Sequence, residues 1–284
     1  MVSTHHKIII GDCRHMDEIK DKSVHLMVTS PPYFNAPFDY KGLFKSYKGF
    51  LSLMKDFAQE TFRVLDDGRI ACVNIDDMLV EGEKFPIVAD VTKIFIDAGF
   101  RYRDKITWKK PDGYIRISRR SGSVIKHPYP MYYYPDNLLE SILIFQKGKF
   151  DYKTKGKNIK EESKIDINEF QKNKWYLTIW EMTNVLPNSK SEKEIAAFPE
   201  ELPYRIIKLF SYKDETVLDP FLGSGTTMLV AKKLGRNSVG YEINEKVLPM
   251  IKEKIGFNQS DLSGGNQSFE IYFRKTKKSI KKTI

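Results

Sequence analysis

Residues 216–242, TVLDPFLGSGTTMLVAKKLGRNSVGYE, hold in order a short apolar strand, a glycine turn, a helix, a second strand and an acidic residue. This layout is typical of a nucleotide-type site, because the backbone amides of a glycine turn approach a ligand closely and the N-terminus of the next helix faces it. Glu242 stands 17 residues after Gly225, close to the spacing at which an acidic residue accepts hydrogen bonds from both ribose hydroxyls. The stretch therefore predicts a ligand site.

The glycine turn lacks the features that bind phosphate groups. No lysine follows its glycines, which excludes a phosphate-binding Walker loop, and Met228 stands where the dinucleotide fingerprint has its third glycine. Such a turn suits an uncharged or cationic adenosyl ligand. The alternative is an ordinary strand-to-helix turn that binds nothing.

Strand-like and helical segments alternate through most of the chain, which predicts an α/β fold with a mainly parallel sheet. The predicted strands are 6–10, 24–29, 69–75, 139–145, 216–218 and 237–241, and the predicted helices are 47–64, 85–98, 203–212, 226–234 and 245–255. The alternation stops near Pro111. Residues 147–174 are lysine-rich and poorly patterned, so we expect an exposed or partly mobile insertion there.

Composition excludes several classes of protein. The 284 residues are 41% apolar and 30% charged, as in a soluble globular protein with a full core. No run of 18 apolar residues is long enough to span a membrane, and the start MVSTHHKIIIGD lacks the apolar region of a signal peptide. Two cysteines cannot form a disulfide framework or a cysteine zinc site, so we interpret Cys13 and Cys72 as buried thiols of an intracellular, cytoplasmic protein.

The net charge of +10 is concentrated in two places. Residues 101–126 hold nine basic and two acidic residues, interleaved with glycines and with Trp108 and Tyr114. Such a stretch favours contact with the phosphates of a nucleic acid. The basic run that begins at Arg274 contains no acidic residue, and it could equally be a solvated terminus.

The second candidate site is TSPPY, residues 29–33, directly after a predicted strand. Two prolines remove two amide donors and hold the neighbouring carbonyl groups rigidly. The Ser30 hydroxyl and the Pro31 carbonyl then offer two acceptors to one amino group, and Tyr33 offers a flat face for a planar ring. A Pro-Pro turn alone is usually structural, but combined with the glycine turn it predicts a pocket for the amino edge of a base.

TSPPY and DPFLGSGTT together resemble the catalytic tetrapeptide and the cofactor loop of the amino-group DNA methyltransferases that use S-adenosylmethionine. GDCRHM from Gly11 and AFPEELPYRIIKLF from Ala197 resemble two further segments of that family. The order of the motifs is that of its circularly permuted beta type. The resemblance implies a mainly parallel, seven-stranded, Rossmann-like methyltransferase sheet that is circularly permuted and carries a target-recognition insertion.

The resemblance also divides the chain into a catalytic half at 1–110, a target-recognition insertion at 111–175, a cofactor-binding half at 176–273 and a basic tail at 274–284. The insertion includes the predicted sheet strand at 139–145. No internal repeat is visible.

Residue roles follow from the same resemblance. The catalytic set is Ser30, Pro31, Pro32 and Tyr33. The set that binds the cofactor is Asp12, Phe198, Asp219, Phe221, Gly223, Ser224, Gly225, Thr226 and Glu242. Contacts with DNA are assigned to Lys109, Arg116, Arg119, Arg120 and Lys126. Asp12 could instead be only a turn residue, and Phe198 only a core residue.

The chemistry follows from the amino nitrogen, whose lone pair is delocalised into the base. Hydrogen bonds from both amino protons would favour a pyramidal nitrogen and direct methyl transfer, on a base flipped out of the duplex, without a metal. Ser in the first tetrapeptide position is associated with cytosine N4, and Asp with adenine N6.

The alternatives are adenine N6, an RNA or protein amide nitrogen, and a nucleotide-binding module without activity. The expected partners are double-stranded DNA and, in a restriction–modification system, a cognate endonuclease, with no membrane. Recognition sequence and oligomeric state stay open.

Overall fold

A computed structural model describes residues 4–35, 43–111, 122–133, 135–183, 198–257 and 267–274. Its strands are β1 (Thr4–Ile10), β2 (Val24–Thr29), β3 (Leu65–Ile75), β4 (Met78–Val80), β5 (Glu83–Phe85), β6 (Arg101–Lys109), β7 (Leu139–Gln146), β8 (Ile179–Glu181), β9 (Thr216–Asp219), β10 (Asn237–Glu242) and β11 (Gln267–Phe273). Its helices are α1 (Tyr47–Val64), α2 (Ile87–Asp97), α3 (Gly122–Lys126), α4 (Lys157–Glu162), α5 (Ile167–Lys172), α6 (Glu201–Phe210), α7 (Thr226–Lys233) and α8 (Leu248–Ile255).

One large sheet organises the chain, and within the described ranges it has nine strands in the order β11-β1-β10-β9-β2-β3-β7-β6-β8. β7 runs antiparallel to both of its neighbours, whereas the other pairings in this sheet are parallel. The predicted mainly parallel sheet is confirmed. The expected number of seven strands was too low, because β8 and β11 extend the two edges, and edge strands lack the apolar pattern of a buried strand.

Helices cover both faces of the sheet. Met27 on β2 belongs to a core cluster with side chains from α1 and α2, and its neighbours Leu26 and Val28 belong to a second cluster with α6 and α7. Successive side chains of a strand point to opposite faces, so the two clusters lie on opposite sides of the sheet. Cys13 and Cys72 are both buried, as predicted.

Helix α1 illustrates how the sequence produces the core. Its buried residues recur every three or four positions, which places one apolar stripe against the sheet. The Ser46 hydroxyl accepts a hydrogen bond from the Gly49 amide and caps the N-terminus. The helix spans residues 47–64, as the periodicity predicted.

One predicted strand bound was wrong. The strand predicted at 69–75 begins at Leu65, so β3 includes Asp66-Asp67-Gly68. Gly68 has φ +81°, and a Cβ atom there would lie 2.5 Å from the Cα atom of Phe150, so glycine lets another segment cross the strand closely. Most residues of 147–174 are exposed, as expected, and the segment contains α4 and α5, with Asp166 capping α5 through its carboxylate.

None of the helices in the described parts of the chain is long and apolar enough to cross a membrane.

Candidate active site

The predicted site residues meet at one edge of the sheet. Asp219 and Glu242 are the last residues of β9 and β10, Ser30 directly follows β2, and Asp12 follows β1 by two positions. These strands are parallel and hydrogen-bonded in the order β1, β10, β9, β2, so their carboxyl ends are adjacent. Ligands of open α/β sheets bind at this edge.

A side-chain hydrogen bond joins the two sequence motifs. The Thr29 hydroxyl donates to Oδ1 of Asp219 over 2.6 Å, across 190 positions of sequence. β2 and β9 pair in parallel immediately before these residues, with Leu26 opposite Val217. TSPPY and DPFLGSGTT therefore lie against each other, as the proposed pocket requires.

The glycine loop has a shape that ordinary residues resist. Gly223 and Gly225 have φ +51° and +85°, and Gly225 forms the N-cap of α7. The Gly223 amide donates to Oε2 of Glu242 over 3.0 Å, and the Asn244 amide donates to Oε1 over 2.7 Å. Burial raises the pKa of Glu242, although these backbone hydrogen bonds oppose the shift. The loop and the acidic residue thus form one unit.

Asp219 is a buried carboxylate with a negative charge that the described residues leave uncompensated. Its Oδ1 accepts hydrogen bonds from the Thr29 hydroxyl and from the Phe221 amide, the latter over 3.1 Å. Burial raises the pKa of Asp219 to about 6 despite these bonds. No salt bridge to Asp219 occurs among the described residues. A buried anion of this kind fits a cationic ligand, and the sulfonium and ammonium groups of S-adenosylmethionine are cations.

Three other predicted cofactor residues have protein partners. The Asp12 carboxylate binds the Arg14 guanidinium, with Nε to Oδ2 at 2.9 Å. Burial alone would raise the pKa of Asp12, but the hydrogen bonds from Arg14 outweigh it and the pKa is lowered. The Lys254 ammonium donates to the hydroxyls of Ser224 and Thr226 over 2.7 and 3.0 Å. These contacts hold the loop to α8, and cofactor binding by Ser224 and Thr226 stays a prediction.

Phe198 and Phe221 lie on opposite faces of the sheet. Phe221 is half-buried against the cluster that contains Met27, and its ring centroid is 5.1 Å from that of Phe57. Phe198 is buried in the cluster that contains Trp180, so its side chain belongs to the packed core on that side.

The catalytic tetrapeptide presents an acceptor and an aromatic ring. The Ser30 hydroxyl donates to the backbone carbonyl of Asn74 over 3.0 Å, and its oxygen accepts from the Asn74 side-chain amide over 3.4 Å, which leaves one Oγ lone pair for a further donor. Pro31 is buried, and Pro32 and Tyr33 are half-buried. The Tyr33 hydroxyl donates to Oε2 of Glu140 over 2.8 Å. Burial, followed by the charge of Glu140, raises the pKa of Tyr33 well above its usual value, so the phenol stays a donor.

Sequence reasoning missed three residues of this pocket: Asn74, Lys110 and Glu140. All three are buried, with exposed fractions of 3%, 5% and 8%. The Asn74 side-chain amide donates to Oε2 of Glu140 over 2.7 Å, and the Lys110 ammonium pairs with Oε1. Burial alone would raise the pKa of Glu140, but Lys110 and the hydrogen bonds lower it. Two of these residues could have been noticed in the sequence as polar residues inside apolar strands, Asn74 in RIACVNI and Glu140 in LESILIF.

The predicted DNA contacts are only partly within the described residues. Lys109 ends β6, with its Nζ atom 3.4 Å from Oε1 of Glu181, and Lys126 ends α3 with an exposed side chain. Arg116, Arg119 and Arg120 lie outside the described residues. Large exposed apolar side chains follow Lys126 in the chain: Tyr129, Met131, Tyr132 and Tyr133.

Some basic residues of 101–126 bind other side chains of the protein. Arg101 and Arg103 donate to the side chain of Gln146, and Lys110 pairs with Glu140. Among the described residues, no group of three His, Cys, Asp or Glu side chains could hold a metal ion.

Comparison with known proteins gave concordant matches. The sequence profile of the DNA methylase family (N6_N4_Mtase) matches residues 24–253. Type II methyltransferase M.MjaI of Methanocaldococcus jannaschii is 37% identical, over 91% of this chain and 93% of that protein. Type II methyltransferase M.MthZI of Methanothermobacter thermautotrophicus is 31% identical, over 89% and 77%. The structure of TTHA0409 from Thermus thermophilus, complexed with S-adenosylmethionine, aligns with a TM-score of 0.74 at 26% identity, over 95% and 99%.

Proposed function

Since this chain belongs to the DNA methylase family whose profile spans most of its length, we propose that it methylates the N4 amino group of cytosine in duplex DNA, as the modification enzyme of a restriction–modification system. It is a DNA methyltransferase that depends on S-adenosylmethionine. The proposal adds the base, the reacting nitrogen, the roles of individual residues and the biological setting.

The hydrogen bond between Thr29 and Asp219 carries the proposal. It brings the tetrapeptide, which is suited to an amino group and a planar ring, against the loop that is suited to an adenosyl cation. The arrangement is that of the circularly permuted beta type, with the catalytic motif before the cofactor motif in the chain. Asp219, Gly223, Gly225 and Glu242 would hold the cofactor, which supplies an electrophilic methyl group when bound.

Ser30, Pro31 and Tyr33 would act on the base. The Ser30 oxygen and the Pro31 carbonyl accept the two amino protons, which favours a pyramidal nitrogen with a directed lone pair. Tyr33 stacks on the ring and holds its plane. Bound S-adenosylmethionine would supply the methyl group to the nitrogen, and its sulfur would keep the electron pair of the carbon–sulfur bond that breaks. The methylated nitrogen then releases one proton to water, because a serine hydroxyl is a poor base.

The base reaches this pocket only after leaving the duplex stack, since its amino group is otherwise paired. Lys109 and Lys126, together with Arg116, Arg119 and Arg120, would contact phosphates or base edges. The exposed tyrosines after Lys126 would add stacking surface. The relatives named Type II methyltransferases support a role in restriction–modification, with a cognate endonuclease acting on the same sequence.

The choice of cytosine rests on Ser30, since in the family that the motifs resemble a Ser at this position is associated with cytosine N4 and an Asp with adenine N6. The test is incubation with isotope-labelled S-adenosylmethionine and unmodified genomic DNA, followed by digestion and mass spectrometry of the nucleosides. Labelled N4-methylcytosine is the expected product. Labelled N6-methyladenine would contradict the choice of base, and unlabelled DNA would contradict the whole proposal.

The same assay tests the pocket. Ser30→Ala and Tyr33→Ala should abolish methyl transfer while cofactor binding persists, because in this scheme both side chains contact the base and neither contacts the cofactor. Ser23→Ala is the matched control, since Ser23 precedes the other end of β2. Equal loss of cofactor affinity in the two pocket variants would contradict their assignment.

A further inference from the structure

A buried polar network lies beneath the base pocket. Glu140 at the start of β7 accepts hydrogen bonds from Tyr33 and Asn74 on one carboxylate oxygen and pairs with Lys110 through the other. Asn74 is on β3, and Lys110 follows β6. The network thus joins three neighbouring strands of the sheet to the catalytic turn.

The hydroxyl of Tyr33 is hydrogen-bonded to Glu140, and the residue remains partly exposed. The residue is half-buried, while the carboxylate that accepts its hydroxyl is on a buried side chain. Stacking alone needs only the ring face, which a phenylalanine would also provide. The hydroxyl adds a charge-assisted hydrogen bond of 2.8 Å, a kind of bond that limits how far a ring can tilt or rotate.

Stability does not account for this arrangement. Replacing a buried ion pair by apolar side chains of similar volume is often neutral or stabilising, because desolvation offsets the attraction. The Lys110–Glu140 pair is nonetheless buried, with side chains 6% and 10% exposed. The positive charge of Lys110 keeps the pKa of Glu140 below its usual value, and the carboxylate therefore accepts from both Tyr33 and Asn74 at neutral pH.

The second branch of the network reaches Ser30. The amide nitrogen of Asn74 that donates to Glu140 is also 3.4 Å from the Ser30 oxygen, and its backbone carbonyl accepts the Ser30 proton. The side-chain carbonyl oxygen of Asn74 is buried and has no hydrogen-bond partner, whereas its amide nitrogen is bonded to Glu140. Glu140 therefore orients the Asn74 side-chain amide, which faces the Ser30 oxygen.

We propose that Glu140, paired with Lys110, is a positioning residue that sets both halves of the base pocket, the plane of the Tyr33 ring and the orientation of Ser30 through Asn74. This role rests on the proposed function, because it needs an extruded base to position. Glu140 acts through these residues and does not itself touch the reacting atoms.

The first test is Tyr33→Phe, which removes the hydroxyl and keeps the ring. We expect kcat for methylation of duplex DNA to fall about 10- to 100-fold, since a misplaced reacting group costs this much. Affinity for S-adenosylmethionine and the thermal midpoint should not change. The control is Tyr47→Phe, which removes a similar hydrogen bond of 2.6 Å to Asp90 and should leave kcat unchanged. Full activity of Tyr33→Phe would overturn the proposal.

The second test removes both buried charges together. The double variant Glu140→Gln/Lys110→Met avoids a lone buried ion, and its folding is checked by the thermal midpoint. It should lose kcat to a similar degree, and adding Tyr33→Phe should lower kcat by less than about twofold more, because both changes break the same contact. If the kcat loss of the triple variant equals the product of the losses of Tyr33→Phe and of the double variant, the proposal is overturned. An inactive wild-type protein would contradict the proposed function as well, whereas an active wild type with a fully active Tyr33→Phe would contradict the positioning role alone.

Discussion

Cofactor affinity should fall steeply as the pH drops through 6, and Asp219 is the reason. Burial raises the pKa of this carboxyl group from 3.8 to about 6, and the described residues provide no salt bridge to it. A cationic ligand binds the ionised form better. Protonation therefore removes the attraction, and binding of S-adenosylmethionine should favour release of the proton.

The magnitude follows from the pKa. At pH 8 Asp219 is ionised and affinity is at its plateau. If the protonated form contributes little, affinity falls about tenfold for each pH unit well below 6, so that the dissociation constant at pH 5 is about tenfold above the plateau.

The raised pKa also means that the free protein gains stability as the pH falls through 6. The buried charge at neutral pH costs about 3 kcal/mol of unfolding free energy, since one pKa unit is about 1.4 kcal/mol.

Asp219→Asn separates this effect from other titrations. The hydrogen bonds from Thr29 and Phe221 both end on Oδ1, which asparagine retains. The variant should bind the cofactor weakly at every pH between 5 and 8, with a flat profile, and its free form should unfold at a higher urea concentration at pH 7. Glu242 also has a raised pKa, so any slope that persists in the variant belongs to Glu242.

Equilibrium dialysis with labelled S-adenosylmethionine across this pH range measures the effect, with circular dichroism to verify folding at each pH. S-adenosylhomocysteine lacks the sulfonium charge and keeps the ammonium group. A weaker pH dependence for S-adenosylhomocysteine would identify the sulfonium as the partner of Asp219. A dissociation constant of the wild-type protein that stays constant from pH 8 to pH 5 would refute the reasoning.

Three further predictions concern stability and DNA binding. Glu215→Gln should lower the unfolding free energy by about 3–5 kcal/mol in urea titrations, because the buried Arg69 loses its ion pair; an unchanged midpoint would contradict this. Gly240→Ala should cost about 1–3 kcal/mol, since the new Cβ atom would lie 2.7 Å from a Leu222 methyl group, and a thermal midpoint equal to wild type would argue against the close packing. DNA affinity should fall steeply with salt, because residues 101–126 hold nine basic and two acidic residues and each phosphate contact changes the log–log slope by about −0.9; a flat profile would exclude phosphate contacts.

Local patterns predicted the elements that bury one clear face. β2 and α1 match their predicted bounds, because their apolar residues recur with the period of a strand and of a helix. β6 and β11 were not predicted, since the exposed basic residues of β6 and the partly exposed residues of β11 lack a buried pattern. Their place in the sheet comes from hydrogen bonds to β7 and β1.

In the candidate site, too, some residues were predicted from the sequence and others were found only in the structure. TSPPY and DPFLGSGTT were recognisable because their function depends on local backbone shape, which prolines and glycines impose within a few residues. Glu140, Asn74 and Lys110 carry no such local signature, because each is an ordinary polar residue until the sheet brings the three together. The sequence by itself determined the parallel α/β architecture and the two motifs. Only the tertiary structure decided which buried charges compensate each other, because the free energy of a buried charge depends on neighbours distant in sequence.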